Sequence, residues 1–186
     1  MRSETRYAVR PPRGTDPSVA GFFARTTRAT EVQNNEVKQS LETRVGTWES
    51  YTPVWKGRTA NPIGDYEVTG KYRRLGDSAQ ILIYLDLNTC TPATGFWEFS
   101  LPKALKVDQT KTLQQFVLGT CICRDNSSAA NWVTGMPQVI EDTDLNPRGG
   151  ILLNATGGKV GDTNPFTWAN NDSLAIGLTV PIKGWT

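Results

Sequence analysis

Residues 78–88, SAQILIYLDLN, alternate without a break, with Ala79, Ile81, Ile83, Leu85 and Leu87 falling on one side. A period of two belongs to a half-buried strand and cannot be kept on a helix of 3.6 residues per turn. The segment just before it does the same. Over residues 65–75, Tyr66, Val68, Gly70 and Tyr72 face one way and Glu67, Thr69, Lys71 and Arg73 the other. Gly76-Asp77 between the two segments is a turn, so the pair reads as a hairpin. Residues 95–101 place Trp97, Phe99 and Leu101 together before Pro102, and 114–124 is a nearly continuous apolar strand. Residues 131–140 carry Trp132 and Pro137, and the proline predicts an edge strand. Short strands follow at 150–155 and at 173–182, where Leu174, Ile176, Leu178 and Val180 alternate. No helical period appears after residue 46 except over 105–115. Seven short strands joined by Gly, Pro and Asn turns read as a mainly β chain, an antiparallel sandwich or barrel. We take a jelly-roll-like β-sandwich, with Trp97, Phe99, Ile81, Ile83, Leu118, Ile176 and Leu178 in its core.

The text before residue 46 is of another kind. It carries eight basic and five acidic residues out of 20 basic and 18 acidic in all. Pro11, Pro12, Gly14 and Pro17 favour extended or turn backbone. Residues 1–28 are therefore expected to be an extended arm, whose Arg6, Arg10, Arg13, Phe22 and Phe23 would anchor it to a partner. Residues 29–45 contain no Pro or Gly, and Gly46 sits where a helix would stop. Thr30 and Gln33 make a weak capping box. Asn34, Val37, Leu41 and Arg44 keep an a/d spacing, which suits a short parallel bundle about a threefold axis with Asn34 setting register. The division expected is thus an arm over 1–28, a trimerising helix over 29–46 built on Asn34, Val37 and Leu41, and a head domain over 47–186.

Composition narrows the chemistry. Histidine is absent, which removes Ser-His-Asp triads, Cys-His dyads and imidazole metal sites. Neither GxSxG nor a phosphate-cradling loop occurs. Glu141, Asp142 and Asp144 lack the alternating spacing of a calcium loop, and nothing singles out a carboxylate pair among Asp65, Glu67, Asp86 and Glu98. By alternation Glu67 and Glu98 face solvent. The expectation is a protein with no enzymatic activity, cofactor or metal. A net charge of +2 argues against wrapping nucleic acid. No apolar run reaches the roughly 18–20 residues of a membrane span, and the basic N-terminus lacks the apolar stretch of a secretory signal. Cys90, Cys121 and Cys123 are an odd set and read as free buried thiols from a reducing cytoplasm. Six tryptophans beside Asn- and Asp-rich loops leave one ligand open, a sugar. Trp132 and Trp168 would stack on it while Asn126 and Asn170 hydrogen-bond.

A family resemblance rests on ordered aromatics and turn residues. Trp48, Tyr51, Thr52, Pro53 and Trp55, then Gly70, Tyr72 and Gly76 before a long apolar strand, resemble the opening of the C-terminal head domain in minor tail and tail-fibre proteins of bacteriophages, particularly those infecting actinobacteria. FWEFSLP at 96–102 and the set Pro165, Phe166, Trp168, Asp172 and Leu174 are similar to later parts of the same domain. The resemblance spans about residues 47–182. It implies a β-sandwich head, often trimeric, on a virion. The chain would then be a small trimeric fibre, spike or decoration protein, assembled in the host cytoplasm. Its N-terminus would hold capsid or tail proteins, and its head would be free to meet a host-surface glycan. A carbohydrate-binding, lectin-like module is the alternative.

Overall fold

The computed structural model describes residue 14 and residues 16–112, 118–127, 131–140, 150–155 and 157–185. The chain divides into two compact units, Met1–Thr43 and Arg44–Thr186.

Among the described residues, the first unit is formed by α1, Pro17–Arg44, whose last residue falls in the second unit. It starts well before Thr30, so residues 17–28 are not the extended arm expected of them. Pro17 stands at the helix start, where its fixed φ is helical and its missing N–H is not needed. Ala20, Ala24 and Ala29 favour the helix, against a cost of about 1 kcal/mol for Gly21. The Thr26 and Thr30 hydroxyls donate back to the carbonyls of Phe22 (2.9 Å) and Thr26 (3.0 Å), which satisfies them without breaking the ladder.

The second unit, the head, is mainly β. Its strands are β1 Glu49–Tyr51, β2 Trp55–Gly57, β3 Ile63–Leu75, β4 Ser78–Thr91, β5 Trp97–Ser100, β6 Leu118–Asp125, β7 Asn131–Ile140, β8 Gly150–Ala155, β9 Gly158–Lys159 and β10 Ser173–Pro181. Among the described residues, a 3-10 turn, Gln109–Lys111, falls within the stretch 105–115 where a helical period is expected, and residues 113–115 lie outside the described ones. The strands form one antiparallel sheet in the order β1-β3-β4-β10-β6-β7-β8-β5-β2, with β9 on β8. The two ends of that order are neighbours in sequence. Tyr51 and Trp55 are four steps apart, at most about 14 Å of chain, so the sheet has to roll until its edges approach. No described ladder joins β1 to β2, and the sheet is not closed into a barrel. Trp55 of β2 reaches Tyr66 of β3 edge-on at 5.2 Å between ring centres.

The inner face is the one that alternation picks out. Leu85, Leu174, Cys123 and Val133 stand side by side across β4, β10, β6 and β7, and Ile83, Ile176, Cys121 and Gly135 form the next row. Ala79, Ile81, Ile83, Leu85 and Leu87 are all buried, as are Trp97, Phe99 and Leu101. The side chain of Leu118 lies outside the described ones. Gly70 faces the Tyr51 ring so closely that a Cβ there would lie 2.5 Å from it. Trp97 lies 4.8 Å from Trp55 and 4.5 Å from Trp168, and its Nε1 donates to the Ala93 carbonyl at 2.7 Å.

Two expectations change. The strand holding Pro137 is interior, between β6 and β8. Its pairing with β6 stops at Cys121 and Gly135, two residues before the proline, so the missing N–H interrupts no bond on that side. Glu98 alternates away from Trp97 and Phe99 yet is buried, opposite Lys56 and Leu152 in register.

Candidate functional site

The antiparallel register gathers the head's connections at two ends. At one end lie the Gly76-Asp77 turn, residues 45–48, the 3-10 turn and residues 182–185. The Gly46 N–H donates to the Arg74 carbonyl (2.9 Å), the Ile182 N–H to Asp77 (3.0 Å), and Lys111 Nζ pairs with Asp77 at 2.9 Å. The Arg73 guanidinium lies over the Trp48 ring and that of Arg74 over Trp185. Lys111 and the Ser78 hydroxyl hold the Asp77 carboxyl below its ordinary range.

At the other end lie the close of β4, the β6–β7 connection and residues 160–172. Asp172 ties them together. Its carboxylate is fully buried and accepts the backbone N–H groups of Asn126 and Ala169, each at 2.7 Å. Its own carbonyl accepts the Leu87 N–H at 3.0 Å, and the Asn171 N–H reaches the Asn88 carbonyl. Asn171 takes φ +67°, a left-handed position that Asn tolerates. Gly95 N–H donates to Asp162 at 3.2 Å, which closes the same tip from the β5 side.

This tip brings Asn126 and Asn170 into one region, both with exposed side chains. Trp132, the second residue of β7, is 57% exposed, with the Arg124 guanidinium 5.3 Å above its ring. Trp168 points the other way. It is buried between Trp97 and Phe166, with Nε1 donating to the Asn164 carbonyl. A sugar could stack on it only if that cluster opened. On α1, Phe22 is 63% exposed, Val37 59% exposed and Asn34 exposed. The side chains of Phe23 and Leu41, all of Arg6, Arg10 and Arg13, and the acidic Glu141, Asp142 and Asp144 lie outside the described residues.

Cys90, Cys121 and Cys123 are free and buried. Hydrogen bonding to Cys121, and then burial, push the Cys123 thiol above its ordinary range. A Cβ at Gly135 would lie 2.7 Å from the Cys121 sulfur. The pair fills core space, and among the described residues no group of three or more His, Cys, Asp or Glu is placed to hold a metal ion. Asp172 is the residue that the sequence reading missed as a structural centre. Its one signal was its place after Asn170-Asn171, where a short acceptor side chain can bond a turn backbone.

No family model matches the sequence, and no curated protein matches it. Among solved structures, the chain is similar to the Dettilon tailspike protein at 13% identity and a TM-score of 0.44. The match covers 74% of this chain and 24% of that one. It is a weak, partial likeness.

Proposed function

We infer that the chain is a structural protein of a bacteriophage particle, a small homotrimeric fibre, spike or decoration protein without enzymatic activity. In this reading its N-terminal part docks on capsid or tail proteins, its helix associates with copies of itself, and its β-sandwich head faces outward. The observation that carries the reading is the contrast between the two units. The head closes a core of its own around Trp55, Trp97, Phe99 and Trp168, while on α1 Phe22, Val32 and Val37 are half or more exposed, a surface that favours a partner. The tail-fibre motifs around Trp48, Tyr51, Pro53 and Trp55 supply the particle. The tip bearing Asn126 and Asn170 is the part of the head offered to a host glycan, and three tips on one stalk would multiply a weak affinity. Electron microscopy of purified particles labelled with an antibody against the head tests it. Regular label on capsid or tail is expected. Label confined to free protein, with bare particles, would contradict it.

The exposure of Trp132 favours a second reading, a carbohydrate-binding module. In that case the full chain would bind oligosaccharides on an array, and Trp132→Ala would lose them while its melting stayed unchanged.

A further inference from the structure

The outer face of the head's central strands exposes Leu82, Tyr84, Trp132 and Met136 among small, polar and charged residues. Register sets them in rows. One row runs Lys71, Leu82, Gly177, Thr120 from β3 to β6, and Met136 on β7 stands one residue beyond Gly135, the last position paired with β6. The row beside it runs Thr69, Tyr84, Ala175, Ile122, Thr134, and the one nearest the tip runs Glu67, Asp86, Ser173, Arg124, Trp132. Leu82 and Tyr84 are 42% and 44% exposed and Met136 54%.

The two flanks of this face differ in a complementary way. The β3–β4 flank has Glu67 and Asp86 near the tip, and below them a shallow groove lined by Thr69, Lys71, Leu82, Tyr84 and Ala175. Leu82 leans over Gly177, so the groove floor is low where β10 has only Gly177 and Ala175. The β6–β7 flank has Arg124 in the acidic row and Met136 one residue past its paired positions. One flank thus offers two carboxylates above a groove edged by Lys71, and the other Arg124 above the exposed Met136 side chain. Strands 4.7–4.9 Å apart put the two flanks about 14 Å from each other, β4 to β7, on one surface.

We propose that this face is covered by neighbouring copies of the head, the β3–β4 flank of each copy packing on the β6–β7 flank of the next. Such a contact, left flank to right flank, is heterologous and closes into a ring, and a ring of three follows from the trimer proposed above. Asp86 then lies against Arg124 of the neighbour, and Met136 enters the groove beside Leu82. Opposite charges in matching rows fix the register, because slipping it sets charge against apolar surface. The inference rests on the homo-oligomeric part of the function proposed above, and it adds an interface that the helix does not supply.

A charge exchange in the full chain tests it, read by sedimentation equilibrium. Asp86→Arg alone and Arg124→Asp alone should each weaken association about tenfold or more, since like charges then meet, and the double variant should restore it. Leu82→Glu, on an exposed position, should weaken association, while at dilutions where the parent is also dissociated its melting should match that of the parent. Val37→Asp serves as the helix control. If association falls with Val37→Asp but ignores every face variant, the face inference is overturned and the helix reading stands. If it falls with the face variants and ignores Val37→Asp, the face stands and the helix reading fails. A dimer abolished by Leu82→Glu would uphold pairing through this face and overturn the closed ring of three. A parent chain that is monomeric at high micromolar concentration overturns both.

Discussion

Trp97 in the head is fully buried against Trp55 and Trp168, whereas Phe22 and Val37 on α1 remain 63% and 59% exposed. Both regions carry regular secondary structure, but they close their apolar surface differently. The head's sheet rolls over so that strands distant in sequence supply opposite walls of one core. A helix has no such recourse, because its residues are neighbours of themselves. On the association proposed above, α1 draws its order from a partner, while the head closes its core within itself.

The largest expected effect falls on the head alone. Trp97→Ala removes the ring at the centre of the aromatic cluster and should cost roughly 3–5 kcal/mol of head stability, measured by urea denaturation. The helix signal should not follow it. Next comes Asp172→Ala, which leaves the N–H groups of Asn126 and Ala169 without the acceptor that ties the two loops to the core. It should cost roughly 2–3 kcal/mol in the same experiment and loosen both tip loops. Asp172→Asn, which keeps an acceptor oxygen, should cost less.

Val37→Asp sharpens the comparison from the other side. Head stability should change by no more than about 0.5 kcal/mol, as for an exposed site, while self-association weakens. The smallest effect belongs to Lys111→Gln. The Asp77 carboxyl is held low by Lys111, so its contribution is present above its unfolded titration and is lost as pH falls through the lower folded one. Removing Lys111 should raise the Asp77 titration toward the ordinary carboxylate range, followed by NMR. Melting near neutral pH should scarcely move, because the pair is exposed.

The β3–β4 hairpin was legible because its alternation runs long enough to fix both strand and face. β1 and β2 were not, since three residues cannot show a period. Yet their adjacency in sequence is what reveals the roll of the sheet. Pro137 suggested an edge because the rule concerns a lost N–H, and only the register shows that β6 has already left the pairing at Gly135. The start of α1 was hidden for a related reason. Pro17 breaks a helix from within and opens one from its first turn.

At the tip, the clustering of Asn- and Asp-rich loops was readable, and the direction of their tryptophans was not. Trp168 turns inward because Trp97 and Phe166 wait there. Asp172 escaped notice because one of its partners, Asn126, is 46 residues away. The outward-facing Leu82, Tyr84 and Met136 became meaningful only once four strands had been aligned.

Hydrogen exchange of the full chain across a dilution series tests the contrast between the two units most directly. Protection within Pro17–Arg44 should fall as the protein is diluted, while the amides of β4, β6 and β10 stay protected throughout. A helix equally protected at the lowest concentration, or core strands that open together with it, would contradict the account.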